Sequence, residues 1–320
     1  MVNSSKDKLI YIKDNNRTKD DLSMPTYGGR VINSRLDFFN DVTGERIFEP
    51  LHNKTVIAGS AFTAFKLFNL DRAVLDNTPT YDTVLGLNEG ATGATYPTMS
   101  IKDAGGNVIG SVEDESQRTI CAFCLGMGGC GSDIADVFTV PYASWINPDN
   151  LVPFRYPLQS ADDVDETVYK GKKSLTLADG REVNAYYFKT FTNSPTLVQN
   201  YASTIGTFSD SISSATVYNS ATSADQATSY VELHLKITRE DVREFYIAHS
   251  GIEQARINQI SLLTGWQKDV QVTKLDSLGN MRTATYSYLQ DVRSFSVCNF
   301  PNEVMSDSQK SISIIYTLFF

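Results

Sequence analysis

Ser311-Ile312-Ser313-Ile314-Ile315-Tyr316-Thr317-Leu318-Phe319-Phe320 sets large apolar residues at every second position. That period of two is the period of a half-buried β-strand, with Ile312, Ile314, Tyr316, Leu318 and Phe320 on one face. Chain ends fray unless something holds them, so this strand is expected to dock on a neighbouring sheet or on another chain. Ile314, Tyr316, Leu318 and Phe320 are therefore candidate interaction residues, with Tyr27 near the other end of the chain as a further one.

Upstream, Tyr230-Val231-Glu232-Leu233-His234-Leu235-Lys236-Ile237 has the same period, with Val231, Leu233, Leu235 and Ile237 on one face. Thr238-Arg239-Glu240-Asp241 follows, where Thr238 can cap free amides and Asp241 can return to it. Val242, Phe245, Tyr246 and His249 then recur at helical spacing. Ser250-Gly251-Ile252-Glu253 reads as a second capping box. Ala255, Ile257, Ile260, Leu262 and Leu263 read as the apolar face of a second helix, which Gly265 would stop. Strands are expected to return over about 268–275, 283–298 and 311–320.

From about 36 to 230 the signals are mostly β. Gly105-Gly106-Asn107, Asp179-Gly180 and Gly279-Asn280 sit at the tips of three predicted hairpins, where tight turns require positive φ. Residues 203–229 are rich in Ser, Thr and Ala, with Asp210 and Asp225 as the charges. They read as a long surface loop or a pair of weak edge strands, with a flexible linker as the alternative. Residues 1–35 carry many charges and amides and cannot bury enough surface to fold alone. They predict an extended arm ordered by neighbouring subunits. The fold class expected is α+β, mostly β: antiparallel sheets or a sandwich, a short helical pair inserted between strands, and the arm. The expected division is 1–35, a β-rich 36–229, and a sheet-plus-helices 230–320.

The chain has 320 residues, 41% hydrophobic, which suffices for one large core or two ordinary ones. No run is long enough to span a bilayer, and the first residues lack the apolar core of a signal peptide, so cytosolic synthesis is expected. With a formal charge of -9, the chain repels a phosphate backbone on average, and nucleic acid is not the favoured partner. Four cysteines are too few for a disulfide scaffold.

The sharpest local constellation is Cys121-Ala122-Phe123-Cys124-Leu125-Gly126-Met127-Gly128-Gly129-Cys130-Gly131. Cys121, Cys124 and Cys130 could supply three zinc ligands, but a fourth is missing nearby, and Cys298, His52, His234 and His249 are distant in sequence. The alternation of Cys121, Phe123 and Leu125 favours a packed strand followed by a tight glycine loop, with no metal. The glycines lack the Lys and hydroxyl residue of a phosphate loop. No nucleophile elbow occurs, and the runs 113–115 and 162–166 read as solvated acidic faces. No catalytic residue and no cofactor is assigned.

The polar arm, the many hairpins, the Ser/Thr/Ala-rich stretch and the strand at 311–320 together resemble the virion proteins of tailed bacteriophages. The Tyr230–Ile237 strand, the helical pair and the returning strands are similar to the sheet-plus-helix plan of tail-tube, tail-terminator and neck subunits, over about the last third of the chain. The resemblance implies a non-enzymatic subunit of the neck or tail, or else a capsid-associated protein, made in the host cytoplasm and located in the virion. It implies a homo-oligomer that contacts other virion proteins by β-augmentation and arm exchange, away from membranes. A carbohydrate- or receptor-binding module and a glycoside-hydrolase-like enzyme are the rival expectations.

Overall fold

In a computed structural model, residues 26–27, 30–31, 34–68, 80–87, 98–113, 117–131, 136–140, 145–157, 164–202, 215–221, 228–275, 281–306 and 310–319 are described. The strands are β1 (Thr26–Tyr27), β2 (Arg30–Val31), β3 (Ser34–Asn40), β4 (Lys54–Thr55), β5 (Thr98–Lys102), β6 (Val108–Glu113), β7 (Thr119–Gly126) and β8 (Leu151–Val152). They continue as β9 (Tyr169–Thr176), β10 (Glu182–Lys189), β11 (Thr196–Ala202), β12 (Ala215–Ala221), β13 (Thr228–Ile237), β14 (Arg256–Leu275), β15 (Met281–Val304) and β16 (Ile312–Phe319). Three helices interrupt them: α1 (Ile57–Phe68), α2 (Tyr81–Leu85) and α3 (Arg243–His249). The fold is α+β and mostly β, and its ladders are antiparallel apart from the parallel pairing of β11 with β12.

The chain divides into two compact units, and their boundaries differ from the expected contiguous ones. One unit gathers Met1–Asn53, Asn193–Lys236 and Ser311–Phe320, and the other gathers Lys54–Thr192 and Ile237–Lys310. The reason is strand pairing, which overrides chain order: β3, placed partly in the arm by the sequence, pairs antiparallel with β16 through Leu36 opposite Tyr316 and Phe38 opposite Ile314.

In the first unit the sheet order is β12-β11-β13-β16-β3. Its core consists of Leu36 and Phe38 from β3, Leu233 and Leu235 from β13, and Ile312, Ile314 and Tyr316 from β16, all buried. Burying each such side chain contributes roughly 1.5–3 kcal/mol. The terminal strand is thus docked within its own sheet, between β13 and β3.

In the second unit the order is β4-β15-β14-β7-β10-β9, with β8 also on β7. The central strands β14 and β7 are covered on both faces. On one face Leu263, Ala122 and Cys124 pack with Val56, Tyr81, Ile146 and Val292. On the other, Phe123 meets Phe154 edge-on at 5.2 Å and stacks with Phe191 at 6.5 Å.

The second predicted helix is absent from the described residues. A 3₁₀ turn, Ile252–Gln254, leads directly into β14, and Ile257, Ile260, Leu262 and Leu263 are strand residues. Gly265 ends no helix: it lies in β14 where the register against β15 shifts between Thr264 and Trp266. Conversely, α1 and α2 lie in a region read as β. The helix Arg243–His249 is present but starts later than the Thr238 cap implies. The hairpins β5–β6 and β9–β10 are present, with Gly106 and Gly180 at φ 84° and 82°. The third, β14–β15, pairs as far as Leu275 opposite Met281, and its tip lies outside the described residues. Within 203–229, one edge strand, β12, is described in full. Most of the arm lies outside the described residues.

Candidate functional site

The cysteine and glycine segment is the first place to test for chemistry. Cys121 and Cys124 are buried in β7, and burial pushes the Cys124 thiol up to about 12. Cys298, also buried, is raised to about 12 for the same reason. Cys130 donates to the Phe300 carbonyl at 2.9 Å. Since the thiolate is the nucleophile and the metal ligand, these thiols are held in their unreactive form. Among the described residues no group of three or more His, Cys, Asp or Glu is gathered in a metal-binding arrangement.

The glycines after β7 have internal partners. The Gly128 N–H donates to Gln259 Oε1 at 3.0 Å and the Gly129 N–H to Asn258 Oδ1 at 2.7 Å. Asn258 in turn donates to Asn302 Oδ1, and Gln259 to Asn299 Oδ1. The backbone amides that a phosphate loop would aim at its ligand are taken by carboxamides of β14. A Cβ on Gly129 would run into the Asn258 carbonyl, which accounts for glycine there. The segment is a packed joint.

A second cluster brings acid and base together. Asp241 Oδ2 accepts from Lys189 Nζ at 2.6 Å and from the Thr238 N–H at 2.7 Å, while Oδ1 accepts from the Tyr169 hydroxyl at 2.8 Å. Both side chains of the ion pair are buried. Burial, then the neighbouring carboxylate, raises the Tyr169 pKa well above that of an exposed tyrosine. Each atom of this cluster is held by another part of the same unit. Its role is to hold the turn at residues 238–242, where Val242 stands at φ 59°. Asp241 does return to the Thr238 amide, as the sequence suggested, but the turn precedes α3.

A third cluster was not foreseen. The Asp82 carboxylate on α2 accepts from the Val292 N–H at 2.7 Å, and burial pushes its pKa up to about 6. Nearby, Arg118 pairs with Asp291 and lies over the Trp266 ring at 4.2 Å, and Arg293 donates to Asp291 Oδ1 at 2.9 Å. The readable signal was Thr80, whose hydroxyl caps α2; Arg118 and Asp291 are too far apart in sequence to pair by inspection.

The predicted interaction residues separate. Ile314 and Tyr316 are buried in their own sheet, and Leu318 is half-buried. Tyr27 belongs to a two-residue ladder with β2, and Phe320 lies outside the described residues. What remains for contact is sheet edge. In the second unit one edge strand, β4, has two residues, and the other, β9, carries Lys170, Lys172 and Lys173. Both devices blunt an edge. In the first unit β3 is covered by its own chain, through bridges from Leu36 to Leu51 and from Phe39 to Arg46. At the opposite end β12, Ala-Thr-Val-Tyr-Asn-Ser-Ala, has no charge and no proline, and pairs only with β11 among the described residues.

Comparison with protein-family models, with curated proteins and with solved structures returns no match. No helix among the described residues is long and apolar enough to cross a membrane.

Proposed function

We propose that this chain is a non-enzymatic structural subunit of a tailed-phage particle, placed in the neck or tail. In this reading it is made in the host cytoplasm and assembles with copies of itself and with other virion proteins by β-augmentation. The observation that carries the assembly role is β12. It is an uncharged edge strand at the end of a five-stranded sheet, in a chain whose other sheet ends in a two-residue strand and a lysine-rich one. An edge without charge, proline or cover is a template for a strand from another chain. The placement in a phage rests on the resemblance in the last third of the sequence.

Native mass spectrometry and negative-stain microscopy of the purified chain test the reading. Rings or tubes of uniform diameter are expected, and Thr216→Lys with Tyr218→Lys on β12 should disperse them. A chain that stays single at high concentration would sink it.

A further inference from the structure

The β14–β15 hairpin changes character at Trp266. Below it β14 lies between β7 and β15; above it, from Gln267 opposite Leu289 to Leu275 opposite Met281, the two strands pair only with each other among the described residues. The register shifts all lie at or below the Thr264–Trp266 step, so the upper ladder is uninterrupted. At about 3.3–3.4 Å per residue it extends for roughly 30 Å. A two-stranded ribbon of this kind is marginally stable in water by itself.

The register also sorts its residue types. Val270 stands opposite Tyr286, Val272 opposite Ala284 and Lys274 opposite Arg282, so these positions share one face with Lys268. Across the pleat the other face holds Gln267, Gln271, Thr273 and Thr283, which are exposed. One face is polar and neutral apart from Asp269; the other combines β-branched and aromatic residues with three cations and no acid. This basic strip belongs to a chain of net charge -9.

We propose that the ribbon is a clasp for a second copy of this chain, its Val and Tyr face laid on the copy and Lys268, Lys274 and Arg282 set against the copy's acidic surface. The inference rests on the assembly reading above and names a second contact for it, distinct from β12. Charge complementarity selects the occupant. Identical acidic chains repel one another, and a cationic strip at the contact offsets that repulsion. A nucleic acid would meet the same three cations but also the acidic remainder of the chain.

Two variants test this. In one, residues 269–287 are replaced by a two-residue Asn-Gly turn; in the other, Lys268, Lys274 and Arg282 are each changed to Glu. Sedimentation equilibrium at low and high salt is read beside circular dichroism, which reports folding. Both variants should remain folded and associate roughly tenfold more weakly or worse, and wild-type association should weaken as salt rises. If the shortened chain fails to fold, the charge-reversed chain decides. An assembled wild type whose folded variants associate equally well would overturn the clasp and leave the assembly reading standing; a wild type that never associates would remove both. Binding of a duplex DNA probe by wild type, lost in the charge-reversed chain with association unchanged, would overturn the clasp in favour of a nucleic-acid contact.

Discussion

β16 and the lower half of β14 are both strands of mixed composition, and they are buried in opposite ways. In β16 the residues Ile312, Ile314 and Tyr316 are buried while Ser313 and Ile315 between them are half-exposed, so one face is covered. In β14 every residue from Ile257 to Trp266 is buried, including Asn258, Gln259, Ser261 and Thr264. The polar ones there have partners. Ser261 donates to Ser294 Oγ at 3.0 Å, and Asn258 and Gln259 hold the glycine joint. A strand with one covered face displays its period of two. A strand with two covered faces loses it, because apolar residues are selected at both parities.

The strongest way to break this comparison is to disturb the charge held inside the second unit. Lys189→Met leaves Asp241 buried without its cation and should cost about 3–5 kcal/mol, whereas Lys189→Met with Asp241→Leu should recover much of that. Urea titration of the three proteins decides it, and a single-variant loss under about 1 kcal/mol would show that the pair is solvated.

The two faces of β14 come next. Leu262→Ala and Leu263→Ala should each cost about 2–5 kcal/mol, because adjacent residues point into opposite, equally covered sides. A large loss at one and a negligible loss at the other would mean that one face is open.

Asp82 gives a smaller, pH-dependent effect. Its folded pKa is raised to about 6 from 3.8 by burial. The folded chain therefore binds a proton between pH 4 and 6 that the unfolded chain does not. The stability from this group is fully present below about pH 4 and is lost as pH rises through 6. Asp82→Asn should remove that slope, so its stability relative to wild type should improve by about 2 kcal/mol between pH 4.5 and 7.5. Chemical denaturation at both pH values measures it, and an unchanged difference would mean that the carboxyl titrates normally.

The smallest effect belongs to the open face of β16. Ser313 donates to Asp41 Oδ1 at 2.7 Å in an exposed setting, and Ser313→Ala should cost about 1 kcal/mol or less by thermal melting. A loss matching that of Ile314→Ala, about 2–5 kcal/mol, would place the strand among those buried on both faces.

Where local rules operate, the chain was readable. β13, β16, the helix around Tyr246 and the hairpin turns at Gly106 and Gly180 follow from period and turn chemistry. α1 did not follow, since Ile57-Ala58-Gly59-Ser60-Ala61-Phe62 is poor in strong helix formers. It is held by contact with β15: a Cβ on Gly59 would strike the Phe295 carbonyl, and Phe62 meets Phe295 edge-on at 6.1 Å. Of the candidate interaction residues, Ile314 and Tyr316 were correctly read as buried, but what buries them is their own sheet. The edge that remains open, β12, lay in a stretch read only as loop, linker or weak strand.

By itself the sequence determined the class of fold, the places where the chain turns, and the strands with a single buried face, because these depend on neighbours a few residues apart. Tertiary structure alone decided that β14 is a strand rather than a helix, and that residues 34–40, 196–237 and 312–319 form one sheet. It also decided that Lys189 meets Asp241 and Arg118 meets Asp291. Each of these depends on partners dozens to hundreds of residues away, and local periodicity carries no record of which distant segment will cover a strand's second face or edge.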